Sequence, residues 1–326
     1  MLLLTKAIFA IMVGFIASAI LGLFLVPCLK KLHLGQKISI FVGESHRKKE
    51  GTPTMGGLIF IVPTIIATVA LVLMGKVSYT SNLGIVLLVF LGYALIGFLD
   101  DFLSIKKGNN EGLTTYQKLF MQVLIAIGFF YIYMRSGGQT AWVVGTLHID
   151  LEMGWLYGLF ILFVLVGASN AVNLTDGLDG LAGGLSAIAF IAFSLISLMV
   201  GFEDIGIFSL ILVGSLLGFL IYNTHPAKVF MGDTGSLALG AAMGAIAILT
   251  HRELTLLVVA GVFVIETLSV ILQTFWVTVF HKKLFLMTPI HHHFEKLGWQ
   301  ETDIVKLFWV CGLVLSMAGI IFGVWL

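Results

Sequence analysis

Long apolar runs, separated by short polar segments, dominate the chain. A helix needs about 20 apolar residues to cross a hydrocarbon core about 30 Å thick. Ten runs fit this pattern, the eighth being shorter and the ninth longer: 2–29, 55–74, 83–103, 117–134, 154–172, 181–200, 205–222, 236–250, 254–280 and 304–325. The pattern predicts an all-α integral membrane protein. Residues 1–326 form a single membrane domain, because no segment between the runs is long enough to bury a core of its own.

Residues 139–152 depart from this pattern between the fourth and fifth runs. Apolar and polar residues alternate there, and Gly145 lies near the middle. Alternation with a central glycine is typical of a short β-hairpin. We therefore expect a small hairpin on the outer face, with His148, Asp150 and Glu152 as ordinary surface residues.

The distribution of basic residues predicts the orientation. The pair Lys30-Lys31 directly follows the first run. Of the 18 Lys and Arg residues, four fall on the opposite side of the membrane from this pair: Lys6, Lys76, Arg135 and Arg252. Since Lys and Arg collect on the cytoplasmic side, ten helices place both termini outside. The first run is too long for a cleaved signal peptide, so we expect a retained helix.

Composition excludes a soluble protein. The chain is 59% hydrophobic and 11% charged, with a mean hydropathy of +1.08. Its net charge of +1 argues against a nucleic-acid partner, which would call for a strongly basic surface. The few polar residues beside the apolar runs therefore carry most of the information about function.

The segment 168–180 is the most unusual polar stretch. It lies between two apolar runs and contains Asn170, Asn173, Asp176 and Asp179 but no lysine or arginine. An acidic residue at mid-bilayer costs about 2.5–3.5 kcal/mol on insertion scales, so these carboxylates need a cationic partner, water or a metal ion. Irregular backbone is tolerated in a membrane only inside protein or along a wet cavity. We expect this segment to line a polar site at one face.

Asp100 and Asp101 stand at the end of the third run, before Lys106-Lys107. One interpretation is an ordinary solvated helix end. The alternative is a pair that holds a cation, one carboxylate facing a cavity while the other contacts a lysine. The flanking residues are bulky and apolar, and the helix dipole disfavours negative charge at a C-terminal end. Both facts favour the cation.

Asp233 precedes the eighth run, with Gly232 and Gly235 beside it. An aspartate in this place is commonly an N-cap. The alternative is a ligand for Mg²⁺, since hard cations prefer carboxylate oxygens, and the glycines would let a phosphate or metal approach the backbone. Phe230 is either a stacking surface for a base or a membrane-edge anchor.

The second run begins after Thr52-Pro53, which the pattern favours as an N-cap and first helical residue. The alternative is an anion site, formed by the basic residues 47–49 and the free N–H groups of a helix N-terminus.

Polar residues also mark the ninth run and the loop after it. Glu266 and Gln273 lie seven residues apart on one helix face. One interpretation is a functional pair, and the other is a pair of residues that form hydrogen bonds between helices. Three consecutive histidines follow at 291–293; they cannot easily ligate one metal, but they suit phosphate contacts or acid–base chemistry.

All the unusual polar segments fall on the same, cytoplasmic side of the predicted membrane: 45–57, 100–107, 170–180, 223–236 and 288–295. A transporter would be expected to spread polar groups through the middle of the membrane. Aspartates clustered with lysines and histidines beside lipid suit Mg²⁺-assisted phosphoryl transfer between a cytosolic nucleotide substrate and a lipid acceptor.

The same segments carry a family resemblance, in the stretches 47–57, 100–101, 170–180, 230–236 and 289–295. The chain resembles the phospho-N-acetylmuramoyl-pentapeptide transferases, within the superfamily of polyprenyl-phosphate hexosamine-1-phosphate transferases, in order through nearly its whole length. The acidic motifs are shared with the superfamily, whereas the first and last stretches are specific to the family. The resemblance implies that UDP-N-acetylmuramoyl-pentapeptide and undecaprenyl phosphate react, with Mg²⁺ as cofactor, to give UMP and the first lipid intermediate of peptidoglycan.

The resemblance also implies residue roles. Asp233 is expected to bind Mg²⁺, and Asp100 and Asp101 to serve the lipid phosphate, with Asp100 as base or nucleophile. Lys49 is expected to neutralise the diphosphate or contact the uridine site. Asn173, Asp176 and Phe230 are expected to form the uridine pocket. The other implied substrate-binding residues are Thr54, Asn170, Asp179, Asn223 and Gln273, and the other implied catalytic residues are His291, His292 and His293.

Two other functions remain open at this level. A sister transferase acting on UDP-N-acetylglucosamine shares the acidic motifs but is disfavoured by the triple histidine. A nucleotide-sugar or ion transporter is the alternative from a different class. The resemblance further implies a homodimer in the bacterial plasma membrane, surrounded by lipid, with its active site facing the cytoplasm.

Overall fold

The computed structural model describes residues 3–31, 51–107, 112–144 and 149–325. Its elements, in chain order, are α1 (Leu3–Lys31), α2 (Leu58–Leu73), α3 (Ser81–Lys107), α4 (Thr115–Arg135), β1 (Ala141–Val144), β2 (Ile149–Glu152), α5 (Leu156–Thr175), α6 (Leu181–Met199), α7 (Glu203–Asn223), α8 (Gly232–Leu249), α9 (Glu253–Val259), α10 (Gly261–Phe280), α11 (Ile290–Lys296) and α12 (Glu301–Trp325). The predicted all-α membrane architecture is confirmed.

Each of the ten apolar runs contains a helix. Within the described ranges, nine helices are long and apolar enough to cross a membrane. The helix of the second run, α2, is apolar but has only 16 residues, which is about 24 Å at 1.5 Å per residue. The sequence predicted a longer second helix because residues 55–57 are apolar or glycine, but they form a turn before α2, in which Leu58 N donates to Met55 O at 3.2 Å.

The ninth run is not one helix, and the prediction of a single span over 254–280 is wrong. It divides at Ala260, where ψ is 20°, into the short α9 and the long α10. The hydrogen bonds from Ala260 N to Leu256 O (2.8 Å) and from Val264 N to Ala260 O (3.0 Å) continue on either side of the bend. The bend lies inside a continuous apolar run, so neither proline nor a polar residue marks it in the sequence.

The eighth run begins earlier than predicted. Helix α8 starts at Gly232 rather than at residue 236, so Asp233 lies in its first turn. The four extra residues are polar or glycine and therefore carry no helical apolar pattern.

Helices α6, α7 and α8 form the centre of the molecule. At least 78% of the most apolar window of each is buried, against 22% in α1, α4 and α10. The outer helices therefore present most of their apolar surface to lipid, as a membrane protein requires.

Glycines let α3 and α5 press against the central helix α8. A Cβ on Gly97 of α3 would lie 2.0 Å from the carbonyl oxygen of Asp233, and a Cβ on Gly240 of α8 would lie 2.2 Å from the carbonyl oxygen of Ala168 on α5. Only glycine fits at such separations. This contact brings the ends of α3 and α5, with their polar residues, to the start of α8.

Strands β1 and β2 pair antiparallel, with Ala141 opposite Glu152 and Val144 opposite Ile149. They lie where the sequence predicted a hairpin. The connecting residues, including His148, lie outside the described residues, and the outer-face location stays a prediction.

Candidate active site

Two aspartates from different helices meet at one lysine. The Nζ atom of Lys118, in the first turns of α4, lies 3.0 Å from Asp100 Oδ1 and 2.7 Å from Asp233 Oδ2. Asp100 also accepts a hydrogen bond from Leu113 N at 2.7 Å. Of the acidic pair on α3, Asp100 therefore contacts a lysine, which comes from α4 and not from the neighbouring Lys106-Lys107.

The second aspartate of the pair faces away from this lysine. Asp101 is buried, and its carboxylate accepts hydrogen bonds from Thr234 N at 3.0 Å, Thr234 Oγ1 at 2.6 Å and Asp233 N at 3.3 Å. It therefore binds the free N–H groups and positive dipole end of α8. The interpretation of Asp233 as an N-cap is wrong: Met231 occupies that position, and the capping carboxylate comes from α3.

Asn173, near the end of α5, fixes Asp233 from the other side. Its Nδ2 atom donates to Asp233 Oδ1 at 2.8 Å and lies 2.9 Å from Ser236 Oγ. The two oxygens of Asp233 thus face different partners, Asn173 and Lys118. Helices α3, α4, α5 and α8 all contribute side chains to this cluster, which we call the acidic centre: Asp100, Asp101, Lys118, Asn173 and Asp233.

The segment before α2 covers the acidic centre by pairing with the residues before α8. Phe230 N donates to Pro53 O at 2.8 Å, and Gly56 N donates to Phe230 O at 2.8 Å. Because Pro53 is engaged in this extended pairing, α2 cannot start there; its N-cap is Gly57, and the prediction that Thr52 caps the helix is wrong.

Thr54 is buried in this segment beside the acidic centre. Its Oγ1 atom has no hydrogen-bond partner among the described residues. A Cβ on Gly232 would lie 2.5 Å from Thr54 Oγ1 and 2.4 Å from Asp101 Oδ2, and φ at Gly232 is +74°. Glycine is therefore required at residue 232 for both steric and conformational reasons.

The residues present fit a divalent cation. Asp100 and Asp233 direct carboxylate oxygens at the same ammonium nitrogen, so they define a position where positive charge is stabilised. Mg²⁺ is usually held by one or two carboxylates together with water and substrate phosphates. The predicted ligand Asp233 therefore shares this position with a second carboxylate, that of Asp100.

Lys118 is a functional candidate that the sequence analysis missed. Its signal was weak but present: a lysine in the first turns of an apolar helix opposes the helix dipole, which disfavours positive charge at an N-terminus. Such a lysine calls for nearby acids.

A second polar cluster joins the loops that follow α5 and α7. Asn223 is buried; its Oδ1 accepts from Gly180 N at 3.1 Å and its Nδ2 donates to Val229 O at 3.0 Å. Asp179 is also buried, and its carboxylate accepts from Ala227 N at 3.0 Å. Both predicted substrate-binding residues therefore hold the two loops together.

The three consecutive histidines face three different partners. His291 is buried and its Nδ1 lies 3.1 Å from Glu266 Oε1, while His292 Nδ1 lies 2.5 Å from Glu295 Oε2. His293 Nδ1 accepts from Leu286 N at 3.1 Å. The three imidazoles therefore do not converge on one point.

His291 is the histidine that contacts the 168–180 segment. A Cβ on Gly177 would lie 2.4 Å from His291 Nε2. The glycine therefore allows the imidazole to pack directly on the backbone next to Asp176, which caps the end of α5 and is half-buried.

Of three other predicted site residues, Gln273 and Asn170 make contacts outside the acidic centre, and Lys49 lies outside the described residues. Gln273 binds the loop after α10, since its Oε1 accepts from Leu284 N and Phe285 N, both at 2.9 Å. Asn170 is exposed and donates to Val166 O at 2.8 Å.

An apolar groove of about 360 Å³ lies between α5 and the helices α9 and α10. One end is lined by Ala171 and Val172, and Gly167 and Ala168 lie along its wall. Along the chain, Val172 immediately precedes Asn173 of the acidic centre.

Comparison with known proteins identifies relatives over the whole chain. The family model "Glycosyl transferase family 4" matches residues 83–251, and the model "Phospho-N-acetylmuramoyl-pentapeptide-transferase signature 1" matches residues 49–61. Proteins named phospho-N-acetylmuramoyl-pentapeptide-transferase from Bacillus velezensis and Bacillus subtilis are each 48% identical over 320 residues, which is 98% of either chain. The protein of the same name from Geobacillus thermodenitrificans is 47% identical over 319 residues, again 98% of either chain.

Proposed function

Because the chain belongs to the phospho-N-acetylmuramoyl-pentapeptide transferase family and is a multi-pass membrane transferase, we propose in detail how its acidic centre serves the reaction. Phospho-N-acetylmuramoyl-pentapeptide passes from its UDP derivative to undecaprenyl phosphate, UMP leaves, and the first lipid intermediate of peptidoglycan forms. The observation that carries the proposal is the pair Asp100 and Asp233 around one cation position.

The acceptor phosphate requires placement more than activation. A phosphate monoester is already anionic at neutral pH, so its oxygen can attack the sugar-linked phosphorus of the donor without first losing a proton. A new P–O bond then joins the two phosphates, and the bond to UMP breaks. Lys118 offsets the negative charge of the approaching groups, and Asp100 orients the Lys118 ammonium for that role.

Asp233 and Asp100 would hold Mg²⁺, which supplies charge neutralisation on the diphosphate as UMP leaves. Asp101 serves a different role from the one that the resemblance implied. Its carboxylate is committed to Thr234 and Asp233 N, so it positions Asp233 rather than contacting the lipid phosphate.

The nucleotide lies between the loops after α5 and α7. Phe230 is half-buried next to the start of α8, where its ring offers a stacking surface for uracil, and Asp176 lies on the facing loop. Base–aromatic stacking contributes about 1–3 kcal/mol. The basic bias of the loops on this side supports a cytoplasmic active site.

The proposal predicts which donor releases UMP. Purified protein in detergent, given undecaprenyl phosphate and Mg²⁺, is expected to release UMP from UDP-N-acetylmuramoyl-pentapeptide. The release of UMP should stop when EDTA is added. Release from UDP-N-acetylglucosamine alone would assign the sister activity. Donor uptake by proteoliposomes without lipid-linked product would favour a transporter instead.

Lys118→Met is expected to lower kcat by about 10²-fold, because it removes a preorganised cation from a low-dielectric site. The reaction is to be followed by UMP release at saturating Mg²⁺. Lys306→Met is the matched control, because Lys306 is exposed on α12 and its ion pair with Asp303 is a long surface contact of 3.5 Å. The Lys306→Met variant should retain wild-type turnover. Wild-type kcat in Lys118→Met would exclude the charge role.

Gly167→Phe is expected to raise KM for undecaprenyl phosphate about tenfold by filling the groove. Nothing lies within 4 Å of a Cβ at residue 167, so the ring can enter the groove without disturbing the helix contacts. A short-chain prenyl phosphate, which needs less of the groove, should keep its KM. The control Ile127→Phe changes a residue that is 58% exposed on α4. If Gly167→Phe had the wild-type KM for undecaprenyl phosphate as well as for the short-chain acceptor, the prenyl chain would bind outside this groove.

A further inference from the structure

Three side chains from separate segments meet beside the nucleotide loops. They are Asp179, in the loop between α5 and α6; His225, in the loop after α7; and Glu301, the first residue of α12. His225 Nδ1 lies 3.1 Å from Asp179 Oδ2 and 3.4 Å from Glu301 Oε2. Glu301 Oε1 accepts a hydrogen bond from the backbone N–H of Asp179 at 2.7 Å.

This cluster is built into the protein rather than formed on its surface. The side chains of Asp179 and Glu301 are 2% and 10% exposed, and that of His225 is 43% exposed. A buried carboxylate is stable only when its oxygens have donors. Asp179 has Ala227 N and His225 as partners, and Glu301 has Asp179 N and His225, so each bond in the cluster crosses between chain segments.

The cluster lies on the two loops that carry the implied uridine contacts. Asp179 is three residues after Asp176, and His225 is five residues before Phe230, so each of the two loops also carries an implied uridine contact. Asn223 already joins the two loops to each other. Glu301 is different because it belongs to neither loop and connects both to the start of a long helix.

We propose that Glu301 is a positioning residue that clamps the two nucleotide loops against α12, an inference that rests on the proposed function for its uridine ligand. Its two carboxylate oxygens divide between the loops, one binding the backbone of the first and one contacting His225 of the second. Removing the carboxylate leaves the loops joined to each other but free to shift against the rest of the site. The acidic centre has its own bonds, from Asp101 to Thr234 and from Asn173 to Asp233, so the chemical step remains supported.

The same atoms could be considered as a metal site, because one ligand atom from each residue lies within 4.8 Å of the others. Two hydrogen bonds favour the clamp over a metal site. Glu301 Oε1 accepts from the backbone N–H of Asp179 at 2.7 Å, and Asp179 Oδ2 accepts from that of Ala227 at 3.0 Å, so both oxygens are already engaged in holding the loops.

The test compares Glu301→Ala with the control Asp303→Asn, which changes an acid two residues along the same helix that is 56% exposed. In Glu301→Ala we expect the Kd for UMP, measured by calorimetry on the full chain in detergent, to rise about tenfold. KM for the nucleotide donor should rise in parallel, with kcat within about twofold of wild type. Asp303→Asn should match wild type throughout. If Glu301→Ala does not purify as a folded protein, Glu301→Gln removes the charge at nearly constant shape, and the expected increase is about threefold.

Hydrogen exchange provides a readout that does not depend on the activity. Peptides covering 176–181 and 224–231 should exchange faster in Glu301→Ala than in wild type, while peptides of α8 should not change. Unchanged exchange in both loops would overturn the clamp. Faster exchange with no UMP affinity even in wild type would support the clamp and instead contradict the proposed function. A rise in the thermal unfolding midpoint on adding Zn²⁺ or Mn²⁺, seen in wild type and lost in Glu301→Ala, would make the cluster a metal site and also overturn the clamp.

Discussion

Asp233→Asn is expected to lower turnover by about 10³-fold or more while the protein stays folded. The substitution keeps the size of the side chain and its acceptor for Asn173, which now donates to Asp233 Oδ1 at 2.8 Å. It removes the charge that faces Lys118 at 2.7 Å and, in the proposed reaction, the principal ligand for Mg²⁺. Losing a metal ligand and its charge removes stabilisation of the developing negative charge on the diphosphate.

UMP release measures this loss, and the thermal unfolding midpoint in detergent reports whether the fold is intact. Asp303→Asn supplies the control for removing a carboxylate on the same predicted side of the membrane, because Asp303 is exposed and its ion pair is with Lys306. If Asp233→Asn turned over at the wild-type rate at saturating Mg²⁺, Asp233 would not be an essential ligand.

Gly97→Ala is the second substitution with a large expected effect, although it changes no polar group. A Cβ at residue 97 would lie 2.0 Å from the Asp233 carbonyl oxygen and 2.3 Å from its carbonyl carbon. Because these are backbone atoms, the strain can be relieved only by moving α3 away from α8. Overpacking of this kind costs about 1–3 kcal/mol, and a displacement of about 1 Å between reacting groups can lower the rate about 10²-fold.

The matched control is Gly92→Ala on the same helix. Its Cβ would lie 2.7 Å from Cδ1 of Ile125, the end of a flexible side chain that can rotate away. We expect Gly97→Ala to lower both the unfolding midpoint and kcat, and Gly92→Ala to change kcat less than about twofold. Equal kcat values for the two variants would show that close contact of α3 with α8 does not position the acidic centre.

The sequence allowed the helices to be predicted better than the contacts between them. Every apolar run contains a helix because the 20-residue length and the absence of charge are local properties. The break at Ala260 was not predictable, since it occurs inside an unbroken apolar run and is set by packing. The short α2 was missed for a similar reason: Pro53 pairs with Phe230, about 180 residues later, and this pairing delays the helix.

In the candidate site, too, local features were predictable and contacts between helices were not. The need of the acidic pair for a cation was inferred from its place at the end of the third apolar run, whereas the lysine that Asp100 contacts, Lys118, depends on how α4 packs beside α3. Local rules favoured Asp233 as the N-cap of α8. The carboxylate that binds the start of α8 is instead Asp101, from a helix more than 100 residues earlier, and no local rule predicts such a contact.

Mn²⁺ binding, followed by electron paramagnetic resonance on purified protein with UMP, would locate the metal most directly. We expect Mn²⁺ to bind to wild type and to be displaced by Mg²⁺, and Asp233→Asn to bind it about 100-fold more weakly or not at all. Glu301→Ala serves as the control for the second cluster and, at a UMP concentration that saturates both proteins, should bind Mn²⁺ as wild type does. Wild-type Mn²⁺ affinity in Asp233→Asn would contradict a metal-dependent transfer site at Asp100 and Asp233.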